Sequence, residues 1–139
     1  MASTDPWITL GRTAEQCRSV LEPPKEIRIA VEDDGTPLGL IAIDMRGLVR
    51  GYIQTVVVAA HARGRGVGTA LIAAAEQEIF CESPNAFICV SSFNQEARRL
   101  YERLGYALVG ALTDFVVAGH DELLLRKTRG PWQLFTPAP

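Results

Sequence analysis

With 139 residues, 47% of them hydrophobic, and a formal net charge of −2, the chain is expected to fold as one domain, burying about two-thirds of the surface its unfolded form exposes. The near-neutral balance argues against a nucleic-acid partner held on a basic face. Met1 to Pro6 carry neither the basic nor the apolar region of an export signal, and no apolar run approaches a membrane span, so the expectation is a soluble, cytoplasmic protein with no membrane partner.

In chain order, Trp7-Ile8-Thr9-Leu10 reads as a short first strand. Thr13 and Gln16 form a capping-box pattern, and Cys17, Val20 and Leu21 give the helix that follows an apolar stripe, which Pro23-Pro24 ends. Ile27, Ile29 and Val31 alternate with other residues as in a half-buried strand. Asp33-Asp34-Gly35-Thr36-Pro37 is a turn, and Leu38 to Asp44 returns as the partner strand. Arg46 to Gly51 leads into a strand over Tyr52–Val58. Beyond a glycine-rich connection, the run Ala70 to Glu78 consists of strong helix formers. Ser83-Pro84-Asn85 breaks the chain, and Ala86 to Val90 reads as a buried strand, nearly continuous in apolar residues. A helix from Asn94 to Leu104, a strand from Ala107 towards Val117, a loop at Ala118-Gly119-His120-Asp121 and a last strand from Glu122 to Lys127 complete the domain. Thr128 to Pro139, with three prolines, Trp132 and Phe135, reads as an extended tail packing on the domain or on a neighbour. Cys17, Cys81 and Cys89 are odd in number and lack metal-ligand spacing, so they read as free thiols in a reducing compartment.

The stretch from Val56 to Glu78 carries the chemistry. Val56-Val57-Val58 is strand, and Arg63-Gly64-Arg65-Gly66-Val67-Gly68-Thr69 joins it to the alanine-rich helix. The first turn of a helix offers unpaired N–H groups and the positive end of the dipole, and glycine lets an anion approach the backbone. The turn is therefore expected to hold a pyrophosphate. It is not a P-loop, because no lysine stands in or near it. It is not the dinucleotide fingerprint either. Thr69 stands where the third glycine belongs, and Phe87 to Val90, about twenty residues on, supplies no acidic residue.

Arg63-x-x-Gly66-x-Gly68 resembles the R/Q-x-x-G-x-G/A pyrophosphate loop of the GNAT superfamily of acyl-CoA N-acyltransferases. One strand further on, Asn94-x-x-Ala97-x-x-x-Tyr101-x-x-x-Gly105-Tyr106 is similar to that family's other signature. Independently of the resemblance, this segment is a compact amphipathic helix. Asn94 is its N-cap, Gly105 follows its end, and Ala97, Leu100, Tyr101 and Leu104 share a face.

The resemblance spans roughly Leu38 to Lys127, with the first third matched in layout only. It implies an α/β fold of the α+β kind: a central, mostly antiparallel sheet with splayed middle strands and flanking helices. It also implies acetyl-CoA (coenzyme A) as donor. On that reading Val56, Val57 and Val58 meet the pantetheine arm through their backbone. Arg63, Gly64, Arg65, Gly66, Val67, Gly68 and Thr69 cradle the pyrophosphate, and Asn94 and Ala97 line the arm. Tyr101 is the general acid to the departing thiolate.

The helical region before Glu26 is shorter than the family's usual two helices, implying an acceptor cleft that is open or completed by a second copy in a homodimer. The acceptor is a small-molecule amine or a protein amino group. The base is unassigned. The strand carrying Tyr52, Gln54 and Thr55 offers no carboxylate, His61 reads as turn surface, and Asp44, His120, Asp121 and Glu122 stand beside a water relay or an acceptor arriving already neutral. A non-catalytic acyl-CoA-binding module of the same fold is the competing reading.

Overall fold

The computed structural model describes Met1 and residues 5–139; residues 2–4, part of the stretch read against an export signal, lie outside them. The elements run α1 (Ala14–Ser19), β1 (Glu26–Val31), β2 (Pro37–Asp44), β3 (Tyr52–Val58), α2 (Val67–Glu82), β4 (Asn85–Ser91), α3 (Gln95–Arg103), β5 (Ala107–Val117) and β6 (His120–Thr128). The strands form one sheet in the order β1-β2-β3-β4-β6-β5. All neighbours are antiparallel except β3 and β4. A parallel pair needs a long crossover, and α2 supplies it. The mixed, mostly antiparallel sheet with flanking helices is the expected class.

α2 is held by an apolar face. Leu71, Ile72, Ala75 and Ile79 recur at helical spacing and are at most 4% exposed, packed with Ile41, Ile43, Ile53, Ile88 and Leu125 from the sheet. Each of these leucine and isoleucine side chains contributes about 1.5–3 kcal/mol by leaving water. The helix starts three residues before Ala70, at Val67, and runs on to Glu82 until Ser83-Pro84 stops it.

The N-terminal strand is not formed. Trp7–Leu10 lies in successive turns, with Leu10 N–H donating to Pro6 O at 2.9 Å and Arg12 N–H to Trp7 O at 2.9 Å. The Asp5 carboxylate accepts from the Thr9 amide at 3.3 Å and from the Thr9 hydroxyl at 2.8 Å. Asp followed by Pro is a helical-turn start, and that local signal outweighs the β-prone Trp-Ile-Thr. α1 has its capping box, Gln16 N–H to Thr13 Oγ1 at 3.2 Å and Thr13 N–H to Gln16 Oε1 at 2.9 Å, but it ends before Val20 and Leu21.

The expected loop at 118–121 shrinks to a two-residue turn, because Val117 already pairs with His120. Gly119 takes φ +86°, as tight hairpin turns demand. His120 and Asp121 therefore belong to β6. The tail docks on the domain itself: the Arg129 guanidinium lies 4.1 Å from the Phe80 ring centroid, and Ala138 N–H donates to Cys81 O at 2.8 Å. No helix among the described residues is long and apolar enough to cross a membrane.

Candidate active site

β3 and β4 pair only at Tyr52↔Phe87 and Ile53↔Ile88. Beyond that point they part, while β3 stays paired with β2 as far as Val58 and β4 with β6 as far as Ser91. On its β4 side, the backbone from Gln54 to Val58 is left without a strand neighbour. Buried backbone groups require partners, and this edge can offer its N–H and C=O groups to an extended, amide-bearing chain. A cleft of about 870 Å³ opens from the gap, and Val56, Val57 and Val58 line it.

At one end of the cleft lies the glycine turn. Gly66 is the N-cap of α2 at φ +80° and supplies no side-chain cap. The amides of Val67, Gly68 and Thr69 therefore have no acceptor within the helix. A Cβ at Gly64 or Gly66 would meet nothing within 4 Å, so the space before the turn is open. Arg63, Gly64, Gly66, Val67, Gly68 and Thr69 line the cleft; Arg65 does not. Its guanidinium bonds Glu32 in the β1–β2 turn at 2.8 Å.

α3 forms the next wall. Asn94 accepts from Ala97 N–H at 3.2 Å, fixing the start of the helix, and both residues border the cleft. Tyr101, 8% exposed, lies one turn further along the same face, its ring edge-on to Tyr106 with centroids 6.3 Å apart. Burial pushes its phenol up to about 12, so it keeps its proton throughout the neutral range. The predicted residues of the two motifs thus meet around one cleft, Arg65's side chain excepted.

The sheet register adds a group that the sequence left dispersed. Tyr52 and Gln54 on β3 share a face with Cys89 and Ser91 on β4. Cys89 and Ser91 pair with Leu124 and Glu122 on β6, and Glu122 pairs with Leu112 on β5. All of these line the cleft. Glu122 is 6% exposed and accepts from Ser91 Oγ at 2.6 Å. Burial raises its carboxyl above the usual range, while the Ser91 bond and the Arg12 charge pull the other way. Burial likewise raises the Tyr52 phenol and the Cys89 thiol. Gln54 Oε1 is buried without a hydrogen-bond partner among the described residues.

Of the carboxylates and histidines considered as bases, only Glu122 reaches the cleft. Asp44 is held by Arg46 at 2.9 Å, His120 stacks edge-on to Phe93 at 5.0 Å, and His61 is exposed. The roof comes from the N-terminal turns and α1 through Trp7, Leu10, Arg12, Gln16 and Cys17. The chain's own N-terminal segment thus contributes to the cleft wall.

The sequence model of the Acetyltransferase (GNAT) family matches residues 2–106. No curated protein matches the sequence. Among solved structures, nourseothricin acetyltransferase is 26% identical with a TM-score of 0.70, over 78% of this chain and 67% of that one. Aminoglycoside 6'-acetyltransferase type Ii is 24% identical with a TM-score of 0.69, over 85% of this chain and 77% of that one. Aminoglycoside 6'-N-acetyltransferase complexed with coenzyme A shares the fold at 18% identity with a TM-score of 0.67, over 85% and 80%. A splayed β3–β4 pair, an uncapped glycine turn and a buried tyrosine on the following helix agree with the match over three-quarters of the sequence: the chain belongs to the acetyltransferase (GNAT) family, whose acyl donor is acetyl-CoA.

Proposed function

We propose that residues 1–139 act as one N-acetyltransferase domain that transfers an acetyl group to a primary amine by direct attack, with Tyr101 as general acid. Acetyl-CoA supplies the thioester whose acyl carbon the nitrogen attacks, the carbon–nitrogen bond forming as the carbon–sulfur bond breaks. The backbone of Val56–Val58 would align the pantetheine arm, one of its N–H groups polarising the acyl carbonyl. The amides of Val67–Thr69 and the Arg63 guanidinium would hold the pyrophosphate, and Asn94 and Ala97 would flank the arm. The Tyr101 hydroxyl would donate its proton to the departing sulfur.

The observation that carries this reading is that a buried, protonated phenol stands in the same cleft wall as an unpaired strand edge and an uncapped helix start. Tyr101→Phe tests it: turnover should fall by about a hundredfold to ten-thousandfold, with coenzyme A affinity nearly unchanged. Full activity in the variant would remove Tyr101 from the reaction. A binding module without transfer would instead hold acetyl-CoA and release no thiol with any amine.

A homodimer is part of the reading. β5 is the outer strand of the sheet, eleven residues long, with Leu108 at 52% and Val109 at 57% exposure, an edge that isolated proteins usually protect. Light scattering on the purified chain decides between dimer and monomer. The unpaired thiols of Cys17, Cys81 and Cys89 suit a reducing cytoplasm.

A further inference from the structure

We infer, resting on the acetyl-transfer reading above, that the acceptor is a monoamine carried on an apolar, ring-sized body, and that Glu122 binds its ammonium and takes the proton that must leave before attack. The face of the sheet turned away from the α2 core brings Glu122, Ser91, Gln54 and Tyr52 into the cleft. The carboxylate spends one hydrogen bond on Ser91, and an ionised carboxylate has capacity for several more. An ammonium has three N–H donors to give it. Gln54 Oε1 is a second buried acceptor on this face, with no donor among the described residues. Such a wall is built to receive hydrogen-bond donors.

The same wall limits how many charges it can receive. Among the described residues, and outside the glycine turn and α3, the charged side chains lining the cleft are Asp5, Arg12 and Glu122. Asp5, like Glu96 at the start of α3, is exposed, whereas Glu122 is buried, so Glu122 is the carboxylate that can meet a desolvated ammonium, and Arg12 opposes it. One ammonium can be matched here; a second would lose its water without a counter-charge. Apart from Gln16, the side chains around these charged groups are mainly apolar and aromatic, among them Trp7, Leu10, Leu112, Phe115, Val116 and Leu124. That surface fits a hydrocarbon or aromatic body better than a sugar or a polyamine chain.

The groups facing Glu122 are few: Ser91 and Cys89 from β4, Tyr52 from β3, Arg12 from the N-terminal segment and Leu112 from β5. Burial weakens the acidity of Glu122 and makes it a better proton acceptor than an exposed glutamate. It takes one proton from the ammonium, and the freed lone pair makes the new carbon–nitrogen bond. The proton then lost from nitrogen replaces the one Tyr101 gives to sulfur, and Glu122 returns its own to water.

The test is an amine panel on the full chain: 2-phenylethylamine, hexylamine, spermidine and kanamycin with acetyl-CoA, together with calorimetric binding of 2-phenylethylamine in the presence of coenzyme A. Expected is at least a hundredfold preference in kcat/KM for the two monoamines. Glu122→Gln should weaken 2-phenylethylamine binding at least tenfold and flatten the acidic limb of the pH–rate profile. Its loss in rate should be smaller with 2,2,2-trifluoroethylamine, which arrives neutral, an effect that a merely structural role would not produce. Preference for spermidine or kanamycin, or a Glu122→Gln enzyme with unchanged binding and pH profile, overturns the proposal while leaving acetyl transfer in place. Failure to bind coenzyme A, or to release thiol with every amine, overturns both.

Discussion

Ser91 and Glu122 face each other across β4 and β6, joined by a 2.6 Å hydrogen bond from the Ser91 hydroxyl to the Glu122 carboxylate at the point where β3 has already turned away from β4. The splay that leaves the Gln54–Val58 backbone without a neighbouring strand therefore also brings a buried acid to its edge. Both follow from strand register, and both bear on the chemistry.

The first consequence concerns stability against pH. Burial raises the carboxyl of folded Glu122 above its ordinary 4.5, so the native state binds this proton more tightly than the unfolded chain. The stabilisation is complete below the unfolded value and is lost as pH rises through the folded one. Replacing Glu122 by Gln retains an oxygen acceptor for Ser91 and removes the titration. Thermal melts from pH 4 to 8 should show wild type losing more stability than Glu122→Gln over the rising limb. Parallel curves would mean that the carboxyl is not desolvated.

A second prediction separates the phosphate grip from the fold. A Cβ at Gly68 would sit 3.6 Å from Val58 Cγ2 and 3.7 Å from Leu100 Cδ2, ordinary contacts at the cleft wall. The Cβ of Gly68→Val is thus accommodated, and its two further methyls should crowd the first turn of α2, raising Kd for coenzyme A at least tenfold by calorimetry in a variant whose circular dichroism spectrum matches wild type. Unchanged affinity in the folded variant contradicts the assignment of the turn.

A third addresses the closed end of the splay. Gly51 stands just before β3 at φ +87°, and its carbonyl accepts from Phe87 N–H at 2.9 Å. A Cβ there would collide with the Asn85 carbonyl and approach Ile79 Cγ2 at 2.7 Å. Left-handed backbone costs a non-glycine residue about 1–2 kcal/mol, and overpacking costs about 1–3 more. Gly51→Ala should lose about 2–5 kcal/mol in urea unfolding; a loss under about 1 kcal/mol would show that the junction yields.

A fourth concerns the core under the site. Ile79 is fully buried between α2 and the sheet. Ile79→Ala should cost about 2–5 kcal/mol and leave KM for acetyl-CoA unaltered in the folded fraction, as measured by denaturation and steady-state kinetics. A large KM effect would mean that the core helix, and not the turn alone, sets donor affinity.

Much of this was legible in the residues. Alternation at Ile27, Ile29 and Val31, the β-branched run Val56-Val57-Val58 and the nearly continuous apolar run from Ala86 to Val90 located strands. The two motifs placed Gly66, Asn94 and Tyr101 around one cleft because each sits at an element boundary with strong local chemistry: a left-handed glycine, an N-cap, a buried stripe. What the sequence hid was non-local. Glu122 is one acid among several near a chain turn, and its burial follows only when Ser91↔Glu122 and Tyr52↔Phe87 set the strands side by side. Arg65 looked like Arg63 until Glu32, thirty-three residues earlier, drew it out of the cleft. Trp7–Leu10 carried strand-like side chains, but its backbone and Thr9 are tied into the turn that follows Asp5-Pro6.

The most direct measurement is a crystal structure of the chain soaked in coenzyme A. The account predicts the pyrophosphate on the amides of Val67, Gly68 and Thr69, the pantetheine between β3 and β4, and the sulfur beside the Tyr101 hydroxyl. Density for the ligand elsewhere, with the turn before α2 vacant or filled by the protein's own side chains, would contradict it.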